Sequence, residues 1–145
     1  MSMTTKLQFV LWLQSYDWTW FCTLTFRAGI RRKTASFSFR HWIASLEAIE
    51  GRRLSWVRMA EHGSEGGKLH FHVLLAGARC ITPQNAVELW IKVAGTAVIG
   101  LYDKNRRGLE YALKSIEDGP DYDFDASLHD EHLLPRFRKL ATGSN

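Results

Sequence analysis

The stretch "WTWFCTLTF" (residues 18–26) alternates large apolar side chains with mostly threonines. Trp18, Trp20, Cys22, Leu24 and Phe26 fall on one side, Thr19, Phe21, Thr23 and Thr25 on the other, which predicts a central strand with one mostly hydroxyl-bearing face. Upstream, Leu7, Val10 and Leu11 recur at helical spacing with Thr4 or Thr5 available as a cap, so a short first helix is expected over residues 5–15. The basic stretch "RAGIRRK" reads as a loop. Ser38 then stands where it can cap a helix whose stripe is Phe39, Trp42, Ile43, Leu46 and Ile49, ended at Gly51. "LSWVRMAEH" and "KLHFHVLLAG" read as strands, and the intervening "GSEGG" makes them an antiparallel hairpin. Pro83 opens a second helix carrying Val87, Trp90, Ile91 and Ala94 on one side. "TAVIGLY" is a further strand and "KNRRGLEYALKSI" a further helix. The region beyond residue 116 reads as an acidic loop followed by a helix within "SLHDEHLLPRFRKL". The fold class that follows is α+β, with helices against a mostly antiparallel sheet, in one domain spanning residues 1–145.

The strand "KLHFHVLLAG" carries an anomaly. Alternation puts Phe71, Val73 and Leu75 on one face and His70, His72, Leu74 and Ala76 on the other, so two imidazoles lie side by side on a strand that otherwise reads as core. Two histidines at i and i+2 can reach one cation, but a useful centre needs a third ligand and open positions. The preceding strand ends in Glu61 and His62, which face opposite ways, so one of them joins the pair. Register across the glycine-rich turn is not legible in the sequence, and both remain candidates.

A second group lies in "KNRRGLEYALKSI". At helical spacing Leu109, Ala112, Leu113 and Ile116 form the apolar side, whereas Tyr111 and Lys114 fall opposite, with Lys104 and Arg107. A phenol with a pKa near 10 is only about 0.1% ionised at neutral pH. A tyrosine nucleophile therefore needs a cation at hand, and Lys114, three residues on, is placed to supply it.

Charge narrows the partner. The chain of 145 residues has a formal charge of +4, but seven of its 15 acids lie between Glu117 and Glu131, leaving residues 1–116 with 16 basic against eight acidic side chains. A body of net charge +8 suits an anionic partner such as nucleic acid. Cys22 and Cys80 are too few for a disulfide framework and, beside apolar runs, read as reduced core thiols of a cytoplasmic protein. Polar residues interrupt the apolar region 7–26, which argues against a signal peptide or a membrane span.

Three segments in this order, "FCTLTF" (residues 21–26), "HFH" (70–72) and "YALK" (111–114), resemble the motifs of the HUH endonuclease superfamily, in the branch of rolling-circle replication initiators. The resemblance covers roughly residues 12–116, including "WVRMAEHGSEGG" and "GLYDKNRRGLEYALKS". It implies a five-stranded, mostly antiparallel sheet of ferredoxin-like type flanked by helices. It also implies a divalent metal, Mn²⁺ or Mg²⁺, on His70 and His72, with Glu61 matching the third ligand better than His62. Tyr111 would attack a phosphodiester of single-stranded or hairpin origin DNA to give a 5′-phosphotyrosine link, assisted by Lys114. Thr23 and Thr25 would help shape the DNA site, with Arg27, Arg31, Arg32, Lys33, Arg106 and Arg107 contacting phosphates. The nearest alternatives are a single-tyrosine transposase, although Ser115 stands where those enzymes carry glutamine, and a non-catalytic nucleic-acid-binding module of the same fold. No G-x-x-x-x-G-K-[ST] run occurs, so the chain is expected to be either a short initiator that recruits a host helicase or an excised domain.

Overall fold

A computed structural model describes residues 8, 11–27, 29–62, 69–103 and 122–142. Its centre is one antiparallel sheet of five strands, β1 (Trp20–Phe26), β2 (Ser55–His62), β3 (Leu69–Ala76), β4 (Gly95–Leu101) and β5 (Tyr122–Ser127), in the order β4-β1-β3-β2-β5. The α+β arrangement expected from the pattern is the one observed. β3 occupies the middle, which is why its residues from Phe71 to Ala76 are apolar or buried on both faces.

One face of the sheet packs Trp20, Cys22, Leu24, Trp56, Phe71, Val73 and Leu75 against two helices, α1 (Arg32–Glu50) and α2 (Pro83–Val93). Among the described residues, the opposite face is covered only in part. There Val57, Met59, Leu74 and Ala76 meet Leu13, Tyr16, Trp18 and Leu133, which come from before β1 and after β5. Trp18 thus belongs to the second layer and not to the stripe of β1, because the strand starts at Trp20 and the indole N–H turns back to the Leu13 carbonyl at 2.7 Å. Residues 11–14 are helical, as expected of the first segment.

The helices depart from the sequence reading in phase and length. α1 begins at Arg32, and Ser38 lies buried in its interior instead of capping it. Ala35 extends the apolar stripe by a turn and its N–H bonds the Arg31 carbonyl at 2.8 Å, so the basic stretch becomes the first turn of the helix. At the other end Ile49 is 52% exposed and Glu50 faces inward. The Glu50 carboxylate accepts the backbone N–H groups of Arg79, Cys80 and Ile81 at 2.8–2.9 Å, tying the end of α1 to the β3–α2 connection. Burial alone would raise its pKa, but these donors outweigh it and hold the group below the usual carboxylate value. α2 starts as expected, with Pro83 at its first turn and Thr82 accepting the Asn85 N–H at 3.2 Å. Its buried side is Ala86 and Trp90, followed by Ala94 beyond its end, while Ile91 is exposed.

The acidic region is not a plain loop. Residues 122–127 form edge strand β5, and the reason lies across the sheet in Arg58. This guanidinium is buried over the rings of Phe39 and Phe71, at 4.8 and 4.7 Å. A buried cation needs an anion. Asp125, directly opposite Arg58 in the register, supplies it at 3.2 Å and also accepts from Arg40 at 2.8 Å. The two cysteines differ as well: Cys22 is buried in the core, whereas Cys80 is exposed, in the connection that Glu50 holds.

A short 3-10 turn (Asp130–His132) and helix α3 (Pro135–Thr142) close the chain over the second layer. His132 pins them down. Its Nδ1 lies 2.6 Å from the Ser55 hydroxyl, its carbonyl accepts the Asp17 N–H at 3.1 Å, and its Nε2 sits against Gly77. Gly77 has φ of 101°, and a Cβ there would come within 2.5 Å of that nitrogen. Gly77→Ala should therefore destabilise the fold by about 2 kcal/mol or more, from the left-handed backbone plus the clash, as read from the denaturant midpoint. Burial, together with Arg52 and Arg79, also holds the His132 pKa below its ordinary 6.5, against the pull of Glu131. The unfolded chain then binds the proton first as the pH drops, so this contribution to stability is intact above about pH 6.5 and is lost as the pH falls through the folded value. Denaturation measured between about pH 7 and 5 should show that loss, and His132→Asn should reduce it.

Candidate metal centre

The register of the β2–β3 hairpin brings Glu61, and not His62, beside the histidine pair. Glu61 stands directly opposite His70, and His62 opposite Leu69. Glu61 is therefore in phase with Met59, Val57 and the histidine pair, whereas His62 is in phase with the helix-covered face. The side chains converge. His70 Nε2 and His72 Nε2 each lie 2.8 Å from the same carboxylate oxygen, Glu61 Oε2. The rings stand nearly perpendicular, 87° apart, with centroids at 4.9 Å.

The environment is graded from dry to wet. The His72 side chain is 4% exposed, those of His70 and Glu61 24% each, so the cluster opens to solvent on one side. Burial lowers the His72 pKa, and His70 adds to this against the opposing pull of Glu61. The neutral imidazole is the form that can donate a lone pair to a metal.

β1 supplies the floor beside the histidines. Thr23 pairs with His72 and Thr25 with His70 across the β1–β3 ladder. Thr23 Oγ1 lies 3.4 Å from His72 Nδ1, and Phe21 stacks on the same imidazole at 6.1 Å and 20°. The sequence pattern puts Thr23 and Phe21 on one strand face, with Thr23 expected at the DNA site. The signal was there, since both share the strand phase of the histidines, but only register names the partner. Thr25 is bonded to the carbonyl and the hydroxyl of Thr96 on edge strand β4.

The basic residues expected at the DNA site divide. Arg31, Arg32 and Lys33 are exposed at the start of α1, and Arg27 just beyond β1, where its guanidinium donates to the Ile91 carbonyl. All four follow the end of β1 that pairs with His70. Tyr111, Lys114, Arg106 and Arg107 lie outside the described residues. The segment that carries them joins Asp103, beyond edge strand β4, to Tyr122, which stands opposite Glu61 in the register of β5.

The donor set fits a divalent cation. Three ligand atoms, two nitrogens and one oxygen, lie within 4.8 Å of one another. With bonds of about 2.1 Å, neighbouring ligands are roughly 3.0–3.4 Å apart, so small rotations of the side chains would accommodate an ion. Three ligands on one side leave positions for water or substrate; the carboxylate suits Mn²⁺ or Mg²⁺, and the imidazoles add affinity for transition ions. Comparisons with family models, with curated proteins and with solved structures find no match for this chain.

Titration with Mn²⁺ followed by electron paramagnetic resonance should reveal one site, with Mg²⁺ competing only weakly. Glu61→Gln should weaken Mn²⁺ at least tenfold, because it replaces the one anionic ligand with a neutral amide. Equal binding by the variant would remove Glu61 from the centre.

Proposed function

We propose that this chain is a metal-dependent HUH-type tyrosine endonuclease that nicks and rejoins single-stranded DNA, acting as an initiator of rolling-circle replication of a plasmid or phage. The observation that carries this reading is the convergence of Glu61, His70 and His72 on one point of a partly open sheet face. It is supported by the order of the three motifs along the chain and by the register position of Tyr122, later in sequence than Tyr111, opposite Glu61. A divalent cation, when bound, would supply Lewis acidity toward a non-bridging phosphate oxygen.

The remaining chemistry belongs to the chain. The Tyr111 oxygen attacks phosphorus as the bond to the 3′ oxygen breaks; the phenol proton is released and the departing oxygen takes one up. The ammonium of Lys114 favours the phenolate form. The products are a 5′-phosphotyrosine ester and a free 3′-OH, and the reverse attack by that hydroxyl reseals the strand without ATP. Arg27, Arg31, Arg32 and Lys33, near the His70 end of β1, are suited to neutralising the phosphates on either side, which makes binding salt-dependent. No described helix is long and apolar enough to cross a membrane, and the reading puts the enzyme in the cytoplasm with its DNA and a host helicase.

The test is a denaturing gel of the protein with labelled single-stranded and hairpin oligonucleotides and Mn²⁺. An adduct resistant to detergent should form, and it should vanish in Tyr111→Phe and with a chelator. If folded, metal-loaded protein gives neither adduct nor nick on a diverse set of such substrates, the nuclease reading is wrong and a binding module replaces it.

A further inference from the structure

An ionised Glu61 carboxylate can only accept, so facing it at 2.8 Å each of the two imidazole nitrogens presents a hydrogen, since a bare nitrogen would set lone pair against lone pair. In that arrangement a neutral ring has its hydrogen on Nε2. A cation bound by those same nitrogens needs their lone pairs, and each neutral ring then carries its proton on Nδ1. That proton needs an acceptor.

The two histidines meet this need differently. His70 is a quarter exposed, so solvent can serve it. The His72 side chain is almost wholly buried, and Thr23 Oγ1 faces its Nδ1 at 3.4 Å. A hydroxyl suits both states: it donates to a bare Nδ1 and, after rotating its proton away, accepts from a protonated one. Phe21, stacked on the imidazole, restrains the ring from turning off this line.

We infer that Thr23 is a positioning residue of the metal centre, its hydroxyl following the tautomer of His72 so that Nε2 can pass from hydrogen bond to metal ligand. This rests on the metal-centre reading and replaces a DNA contact as the role of Thr23. Valine keeps the shape of threonine and suits a strand, so Thr23→Val removes the hydroxyl alone. The Mn²⁺ dissociation constant should rise 10- to 100-fold in Thr23→Val and stay within about threefold of the parent in Thr23→Ser, with thermal midpoints unchanged.

A measurement on the unmodified protein stands beside the variants. In long-range ¹H–¹⁵N spectra of the Zn²⁺-loaded protein, His72 should carry its proton on Nδ1, exchanging with water more slowly than that of His70. If Thr23→Val binds Mn²⁺ as the parent does while Glu61→Gln does not, or if both Nδ1 protons exchange equally fast, the metal centre stands and Thr23 has no part in it. If Glu61→Gln and His72→Ala also bind as the parent does, or the parent binds nothing, the metal-centre reading itself falls and this inference with it.

Discussion

β3 is hydrogen-bonded on both sides, to β1 and to β2, and its two ladders set the position of nearly everything else in the molecule. A strand with period-two side chains cannot slip by one residue without exchanging its faces. In β3 such a slip would drive His70 and His72 into the packed layer under α1 and α2 and turn Phe71 and Val73 outward. The hydrophobic cost of that exchange pins the register. The pinned register in turn brings Glu61 opposite His70 and Thr23 opposite His72. The candidate metal centre is therefore a by-product of core packing on the other side of the same strand.

Buried charge does the rest of the fixing. Arg58 lies among aromatic rings on the helix side and draws Asp125, and with it edge strand β5, onto β2. Glu50 ends α1 by collecting three backbone N–H groups from the connection after β3. An uncompensated charge in such places is costly, so each pair specifies where a distant segment must dock. The first contact ties β5 to β2, and the second ties the end of α1 to the connection that leaves the central strand.

The sheet face that carries the cluster is divided in function. At the end of β3 near Ala76 it is packed by Leu13, Tyr16, Trp18 and Leu133, and His132 locks that cover in place. Toward Leu69 the same face presents Glu61, His70 and the hydroxyls of β1, with exposed Val98 on the neighbouring edge strand. Among the described residues, one half of the face is thus packed and the other carries the cluster. The basic start of α1, with exposed Arg31, Arg32 and Lys33, follows the second half.

Much of this was legible in the chain itself. The alternation in "FCTLTF" and "KLHFHVLLAG" marks β1 and β3, and the glycine-rich turn marks the hairpin, because local periodicity and turn chemistry act over a few residues. The histidine pair was visible for the same reason. Other features belong to the tertiary structure alone. Glu61 rather than His62 joins the pair because strand pairing sets phase across a turn; Ser38 is interior and not a cap because Ala35 finds a buried place one turn earlier; and "YDFDAS" becomes a strand because Arg58, distant in sequence, requires Asp125. Alternation along one strand is a property of its own residues, whereas phase, docking and charge compensation are properties of pairs, and a pair exists only once the chain has folded.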